Sequence, residues 1–265
     1  MTDKAGAYET LLVSTRESVG WIRLNRPAVR NAFNAAMIRE LRRAVAEMSA
    51  DASVRVVVLT GEGTAFCAGA DLNWMREVIR FSFDRNLEES LDLAGFLYDL
   101  YALPKPTIAR VNGPAIGGGA GFLSACDIVV ASTAAKFGLS EVKIGLVPAC
   151  IAPYVLRRMG ERWARQYFLT GERFDAGRAL EIGLVNAVAE PEALDGRVEG
   201  FVDGLVSSGP AALAAAKELL RRVPGMTFEE AGRFTAGMIA GLRVSAEGQE
   251  GMSAFLEKRK PRWSG

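Results

Sequence analysis

The chain has 265 residues, 49% of them apolar; 32 Lys and Arg nearly cancel 31 Asp and Glu to leave a net charge of +1, and there is no His. Without imidazole there is no Ser-His-Asp or Cys-His nucleophile system, no HExxH zinc site and no neutral-pH His shuttle, so acid–base chemistry falls to carboxylate, Lys, Tyr, Cys or backbone dipoles. Balanced charge gives no reason to expect nucleic acid or an anionic membrane as partner, and the length suits one domain of roughly 200–250 residues with an appendage, or two small ones.

Three cysteines, Cys67, Cys126 and Cys150, are odd in number and lack CxxC spacing. No disulfide framework or metal site is expected from them, and a reducing, cytoplasmic setting is the simple reading. The N-terminal stretch MTDKAGAYET has no apolar run of the signal-peptide type. The longest uncharged run, from Val111 to Cys126, is 16 residues and Gly-rich. A spanning helix needs about 20 mostly apolar residues, so this run reads as a buried segment.

In chain order, residues 9–14 and 19–24 read as a strand pair around a polar turn at 16–18, ended by Asn25-Arg26-Pro27. Residues 34–48 carry Met37, Leu41, Val45 and Met48 at helical spacing. The β-branched run 55–60 reads as a buried strand, 71–79 and 86–103 as helices, and 107–111 as a strand. A Gly-rich turn then leads into an apolar helix near 118–126, followed by strands at 127–131 and 136–138. Helices are expected at 151–159, 161–169 and 175–182, a strand at 184–188, and only helices from Glu192 on. No repeat of fixed period is visible. The pattern is α/β, with a core over 1–190 and a helical C-terminal region over 191–265.

Two segments share one design, a strand, then small residues, then a helix start: FCAGADL (66–72) after the strand 56–60, and NGPAIGGGAGF (112–122) after 107–111. Small residues let a ligand approach the main chain, and a helix start presents unpaired N–H groups. Glycines alone mark tight turns or close packing. Two such segments in one chain point further, to an anion site: if they face each other, one N–H from each can hold an oxyanion. Phosphate binding is disfavoured, because GxxxxGK[ST] is absent and Phe122 breaks GxGxxG.

A third segment, KFGLSEVKIGLVPA (136–149), places Glu141 in a turn before an apolar stretch. Desolvation there raises a carboxyl pKa into general acid or base range; a helix-start or surface-paired Glu is the plainer alternative. Ser140-x-x-Lys143 matches the SxxK of a Ser–Lys acylase, but the companion SDN and KTG elements are missing.

LNRPAVRNAFN, FCAGADLNWM, PKPTIARVNGPAIGGGAG, CDIVVAS, KFGLSEVKIGLVPA, FLTGERFDAGRALEIGLVN and EGMSAFLEKRKPRW occur in this order. The series resembles the enoyl-CoA hydratase/isomerase (crotonase) superfamily over nearly the whole chain. The resemblance implies a β-spiral core of ββα turns, C-terminal helices that build a homotrimer or a hexamer of paired trimers, and an acyl-CoA thioester as substrate. Coenzyme A is then part of the substrate, and no separate cofactor is implied. It also implies that the N–H groups of Ala68 and Gly118 hold the thioester oxygen and that Glu141 moves the proton. CoA contacts fall on the Arg26-to-Arg30 loop, Ala68, Gly69, Ala70, Asp71 and Leu72, and on Gly117, Gly118 and Gly121, while the tail residues Phe255 and Lys258 match positions that reach the CoA of a neighbouring site.

One position departs from the family. Mitochondrial-type hydratases carry a second glutamate where this chain has Gly121, and no carboxylate lies in GGGAGFLSAC. Single-glutamate relatives include Δ3,Δ2-enoyl-CoA isomerases. The wording around GERWARQYFLTGERFD is most similar to bacterial 3-methylglutaconyl-CoA hydratases of leucine breakdown, which form 3-hydroxy-3-methylglutaryl-CoA reversibly. The expectation is hydration across C2–C3 with Glu141 alone, water or hydroxyl using space at Gly121, and Arg76, Arg80 or Lys143 meeting a distal substrate carboxylate. A general enoyl-CoA hydratase or a single-glutamate Δ3,Δ2-enoyl-CoA isomerase is the nearer alternative; a CoA- or RNA-binding protein without catalysis is the remote one.

Overall fold

The computed structural model describes residues 2, 3 and 8–264. Strands β1 (Thr2–Asp3), β2 (Leu11–Arg16) and β3 (Val19–Leu24) form an antiparallel ribbon. Glu17 and Ser18 turn it with φ of 48° and 66°, the left-handed pair whose twist suits a two-residue hairpin. The strand begins later than the expected residue 9 because Glu9 and Thr10 are otherwise engaged. Their N–H groups and the Thr10 hydroxyl donate to the Glu40 carboxylate. Helix α1 (Ala35–Ala50) starts where Asn34 caps it, accepting from the Met37 N–H, and buries Met37, Ile38, Leu41, Ala44, Val45 and Met48.

From β3 onward the chain repeats one movement. A strand joins a large parallel sheet, a shorter extended piece joins a second sheet, and a helix carries the chain back. The first turn runs β4 (Val56–Gly61), a single bridge at Cys67, α2 (Leu72–Val78) and α3 (Phe83–Ala102). The second runs β5 (Thr107–Val111), β6 (Ala115–Ile116) and α4 (Gly118–Ser124). The third runs β7 (Ile128–Ser132), β8 (Lys136–Gly138), a 3-10 turn at Glu141–Ile144 and α5 (Ala152–Thr170). Strand β9 (Arg173–Asp175), α6 (Ala176–Glu181) and β10 (Ala187–Ala189) close the series.

Among the described residues the large sheet runs β1-β2-β3-β4-β5-β7-β10, parallel from β3 on, and the small one β6-β8-β9. The crotonase-type α/β spiral is therefore present. Every residue of β4 is buried, which is why its sequence is a continuous apolar run rather than an alternating one.

Several boundaries moved for local reasons. Helix α3 starts at Phe83 because the Ser82 hydroxyl accepts from the Arg85 N–H. Helix α5 is interrupted by Gly160 at φ 72°, ψ 166°, between the two expected helices. The strand expected at 184–188 is confined to β10. Strands β6 and β9, of two and three residues, had no visible signal.

Beyond residue 190 come α7 (Leu194–Val206), α8 (Pro210–Arg222), α9 (Phe228–Val244) and α10 (Ala246–Leu256). Helix α7 packs Leu194 and Val198 on Val19, Val56, Val58, Ile108 and Val130, covering one face of the large sheet. A division at 190/191 thus falls before a helix that belongs to the core. The appendage starts with α8, which with α9 holds no fully buried side chain. Among the described residues no helix is long and apolar enough to cross a membrane.

Candidate active site

The three chemistry-bearing segments leave the small sheet at equivalent points of three successive turns. The Cys67 carbonyl accepts from the Ile116 N–H (2.9 Å), and the Phe66 and Cys67 N–H groups donate to the Pro114 carbonyl (3.1 Å each). The Gly117 N–H donates to the Gly138 carbonyl (2.8 Å). Residues 68–70, 117–118 and 139–141 are thereby brought side by side. Glycine is required where they touch: a Cβ on Gly119 would run into the Cys67 carbonyl, and Gly117 has φ 53° with Glu141 against its Cα.

The donor expected at Ala68 is corrected by this geometry. Its N–H is spent on the Arg30 carbonyl (3.0 Å), because the 26–33 loop runs alongside it. Gly69 then turns the chain at φ 97°, the Phe33 N–H donates to the Gly69 carbonyl (2.9 Å), and the Asp71 N–H donates to the Phe33 carbonyl (2.8 Å). Among the described residues the N–H groups of Gly69, Ala70 and Leu72 have no hydrogen-bonded acceptor, and that of Ala70, the residue bridged to Phe33, points away from the 26–33 loop. Gly118 opens α4, where first-turn N–H groups lack intrahelical acceptors, and its N–H is likewise unpaired.

Glu141 begins the 3-10 turn just after β8. One carboxylate oxygen lies 3.0 Å from where a Cβ on Gly117 would sit; the other, Oε2, is buried without a hydrogen-bond partner. Burial raises its pKa, opposed in part by its own backbone N–H. The Cys67 and Cys126 thiols, pushed to about 12 by burial, are not bases at neutral pH.

The space expected at Gly121 is absent. A Cβ there would fall on the Ile151 side chain, itself buried, so the position is sealed by an apolar group. Asp71 is buried and structural in its side chain, which caps α2 through the Asn73 N–H (2.7 Å) and pairs with Arg26 (2.7 Å). Arg30 is exposed at φ 52°, and Leu72 is exposed at the start of α2. Phe255, 82% exposed, and Lys258 lie at the end of α10, outside this cluster. Arg76, Arg80 and Lys143 form no ion pair among the described residues.

Sequence reasoning missed the residues that hold the loop. Buried Asn31, at φ 55°, accepts from the Arg26 N–H and donates to the Glu62 and Ala65 carbonyls. Arg26 also donates to the Ala32 carbonyl (2.6 Å). The only signal for Asn31 was its place in the RNAFN string.

The model of the family "Enoyl-CoA hydratase/isomerase" matches residues 14–265. A Thermus thermophilus protein provisionally assigned as an enoyl-CoA hydratase is 40% identical over 240 residues, 91% of this chain and 95% of its own. The 2,3-dehydroadipyl-CoA hydratase of Escherichia coli is 34% identical over 264 residues, 96% of this chain and 98% of its own. The crystal structure of an enoyl-CoA hydratase from Shewanella pealeana superposes with a TM-score of 0.94 at 40% identity, covering 97% of each chain.

Proposed function

The chain belongs to the enoyl-CoA hydratase/isomerase family, and on that premise we propose that it adds and removes water across C2–C3 of an enoyl-CoA thioester. Glu141 is its acid–base group, and the N–H groups of Ala70 and Gly118 are the donors to the thioester oxygen. The observation that carries this is Glu141 itself: a half-buried carboxylate whose buried Oε2 has no hydrogen-bond partner, in a segment alongside two backbone donors that are also unpartnered.

In hydration the water oxygen bonds to C3 while its proton passes to Glu141. The C2–C3 π pair moves toward the thioester, and negative charge collects on the carbonyl oxygen between the two N–H groups. Glu141 then returns the proton to C2 and the carbonyl re-forms. Each donor supplies about 3–4 kcal/mol of transition-state stabilisation. One carboxylate serving both transfers delivers hydroxyl and proton to the same face.

The acyl group we assign is short, branched and dicarboxylic: 3-methylglutaconyl-CoA, giving 3-hydroxy-3-methylglutaryl-CoA. Three things support it: the 160–175 wording, the dicarboxylic acyl group named for the Escherichia coli relative, and Arg76, Arg80 and Lys143, which have no ion-pair partner among the described residues and lie close in sequence to the segments that carry the site. The single carboxylate also favours a second reading, proton transfer from C2 to C4 in an isomerase. A panel of methylglutaconyl-, crotonyl- and 3-enoyl-CoA with product identification separates them. Better turnover of crotonyl-CoA removes the branched assignment, and double-bond migration without hydration removes the hydratase.

A further inference from the structure

We propose that Phe33 is the positioning residue that sets the separation of the Ala70 and Gly118 N–H groups, an inference that rests on the oxyanion reading above. Phe33 is bonded to one donor segment and packed on the other. Its N–H and carbonyl make the two hydrogen bonds to Gly69 and Asp71 that flank Ala70 and leave the Ala70 N–H free. Its ring lies on the Cα face of Gly118, where an added Cβ would come within 2.5 Å of Cε1 and 2.7 Å of Cζ. The backbone of one residue thus fixes the first donor while its side chain fixes the second.

The ring is held from two sides. Phe122, one helical turn after Gly118, packs against it at 5.2 Å between centroids, and Trp74 meets it edge-on at 5.7 Å. The Trp74 Nε1–H donates to Glu89 (2.8 Å), a buried carboxylate that also accepts from Arg85 (2.9 Å). A cavity of about 150 Å³ borders Trp74, Arg85, Glu88 and Glu89, so the indole is placed by that hydrogen bond rather than by packing all round. Oxyanion donors act only when both reach the oxygen at about 2.7–3.1 Å. Loosening the ring therefore costs rate at the chemical step more than it costs substrate binding.

The test uses cinnamoyl-CoA, whose absorption moves to longer wavelength as its carbonyl oxygen is polarised, with Phe33→Leu, Trp74→Leu and Phe96→Leu compared with wild type. Phe96 is a control, equally buried in the same aromatic cluster but in contact with Phe122 rather than Gly118. Wild type shifts the band. Phe33→Leu binds the probe with most of the shift lost, and kcat on the best panel substrate falls about 10- to 100-fold with KM near wild type. Trp74→Leu shows a smaller loss of the same kind, and Phe96→Leu keeps both shift and kcat. Retained shift and kcat in Phe33→Leu overturn the proposal, as does parallel loss in Phe96→Leu. If Phe33→Leu does not fold, an unchanged Trp74→Leu overturns it. A wild-type protein that binds the probe without any shift refutes the oxyanion reading first, and this inference with it.

Discussion

The side chain of Ile151 stands where a side chain at Gly121 would have to go: a Cβ built on Gly121 falls on Ile151 Cγ2 and within 2.7 Å of Ile151 Cβ. The position at which the hydratases this chain resembles carry a second carboxylate is filled by packing, not left for water. In the proposed hydration Glu141 then works without a second carboxylate at that position.

Gly121 sits inside α4, where alanine ordinarily gains up to about 1 kcal/mol over glycine. Here the gain is outweighed by overpacking of about 1–3 kcal/mol, because Ile151 is only 3% exposed and has nowhere to retreat. Gly121→Ala is expected to destabilise, and Gly121→Ala with Ile151→Ala to cost less than the sum of the two single changes. Urea denaturation of the four proteins measures the coupling; strict additivity denies the contact.

Glu141→Gln is expected to abolish hydration while leaving the folded protein as stable as wild type or more so near neutral pH. Burial makes the charged form of this side chain costly, and the amide removes that cost. Thermal melts beside turnover assays decide it. A clear loss of stability together with loss of activity would assign Glu141 a structural role instead.

The same raised pKa fixes a direction in pH. A carboxyl whose folded pKa lies above its unfolded value binds more protons when folded, so its contribution to stability falls as pH rises through that interval. The proposed hydration needs the ionised form. The acid limb of kcat/KM is therefore expected above the ordinary Glu value of 4.5. A limb at the ordinary value in wild type would contradict the burial.

Asp71 behaves in the opposite sense. Burial pushes its pKa up, but the Asn73 N–H and the Arg26 guanidinium outweigh burial and hold it below the usual value. Its stabilisation is present above the unfolded pKa and is lost as pH falls through the lower folded one. Asp71→Ala removes an α2 cap and strands Arg26, at a cost of about 2–4 kcal/mol near neutral pH. That difference from wild type should narrow as pH falls below the ordinary Asp value of 3.8, which denaturation at a series of pH values from 7 downward checks. Asp71→Asn, which keeps the cap, should fall between the two.

Much of this site was legible because its requirements are local. Glycines 117, 118 and 119, the capped start of α2 and the turn at Glu141 all announce themselves in a few residues. The spiral was not legible as a repeat: its turns share a sequence of elements, while the lengths between Cys67, Ile116 and Gly138 and the side chains around them differ. The choice between Ala68 and Ala70 was not legible either. Gly69, at φ 97°, reverses the chain between them, and only the 26–33 loop paired along the segment shows that the Ala68 N–H is the one consumed. Ile151 lies thirty residues from Gly121, and no spacing links the two before the chain folds.

The C-terminal helices yield the last prediction. Helices α8 and α9 hold no fully buried side chain, while Leu220, Ile239 and Val244 are exposed and Phe228 is 100% exposed. A helix is stabilised chiefly by burying its apolar face, and these helices bury little within one chain. The expected partner is more copies of the same chain, as a trimer or paired trimers. Light scattering should give a mass of three or six times 28.5 kDa. Ile239→Glu should lower that mass and the unfolding temperature together, because a charge cannot be desolvated in an apolar contact without a partner. A monomer of full activity and ordinary thermal stability would show that these helices need no second copy.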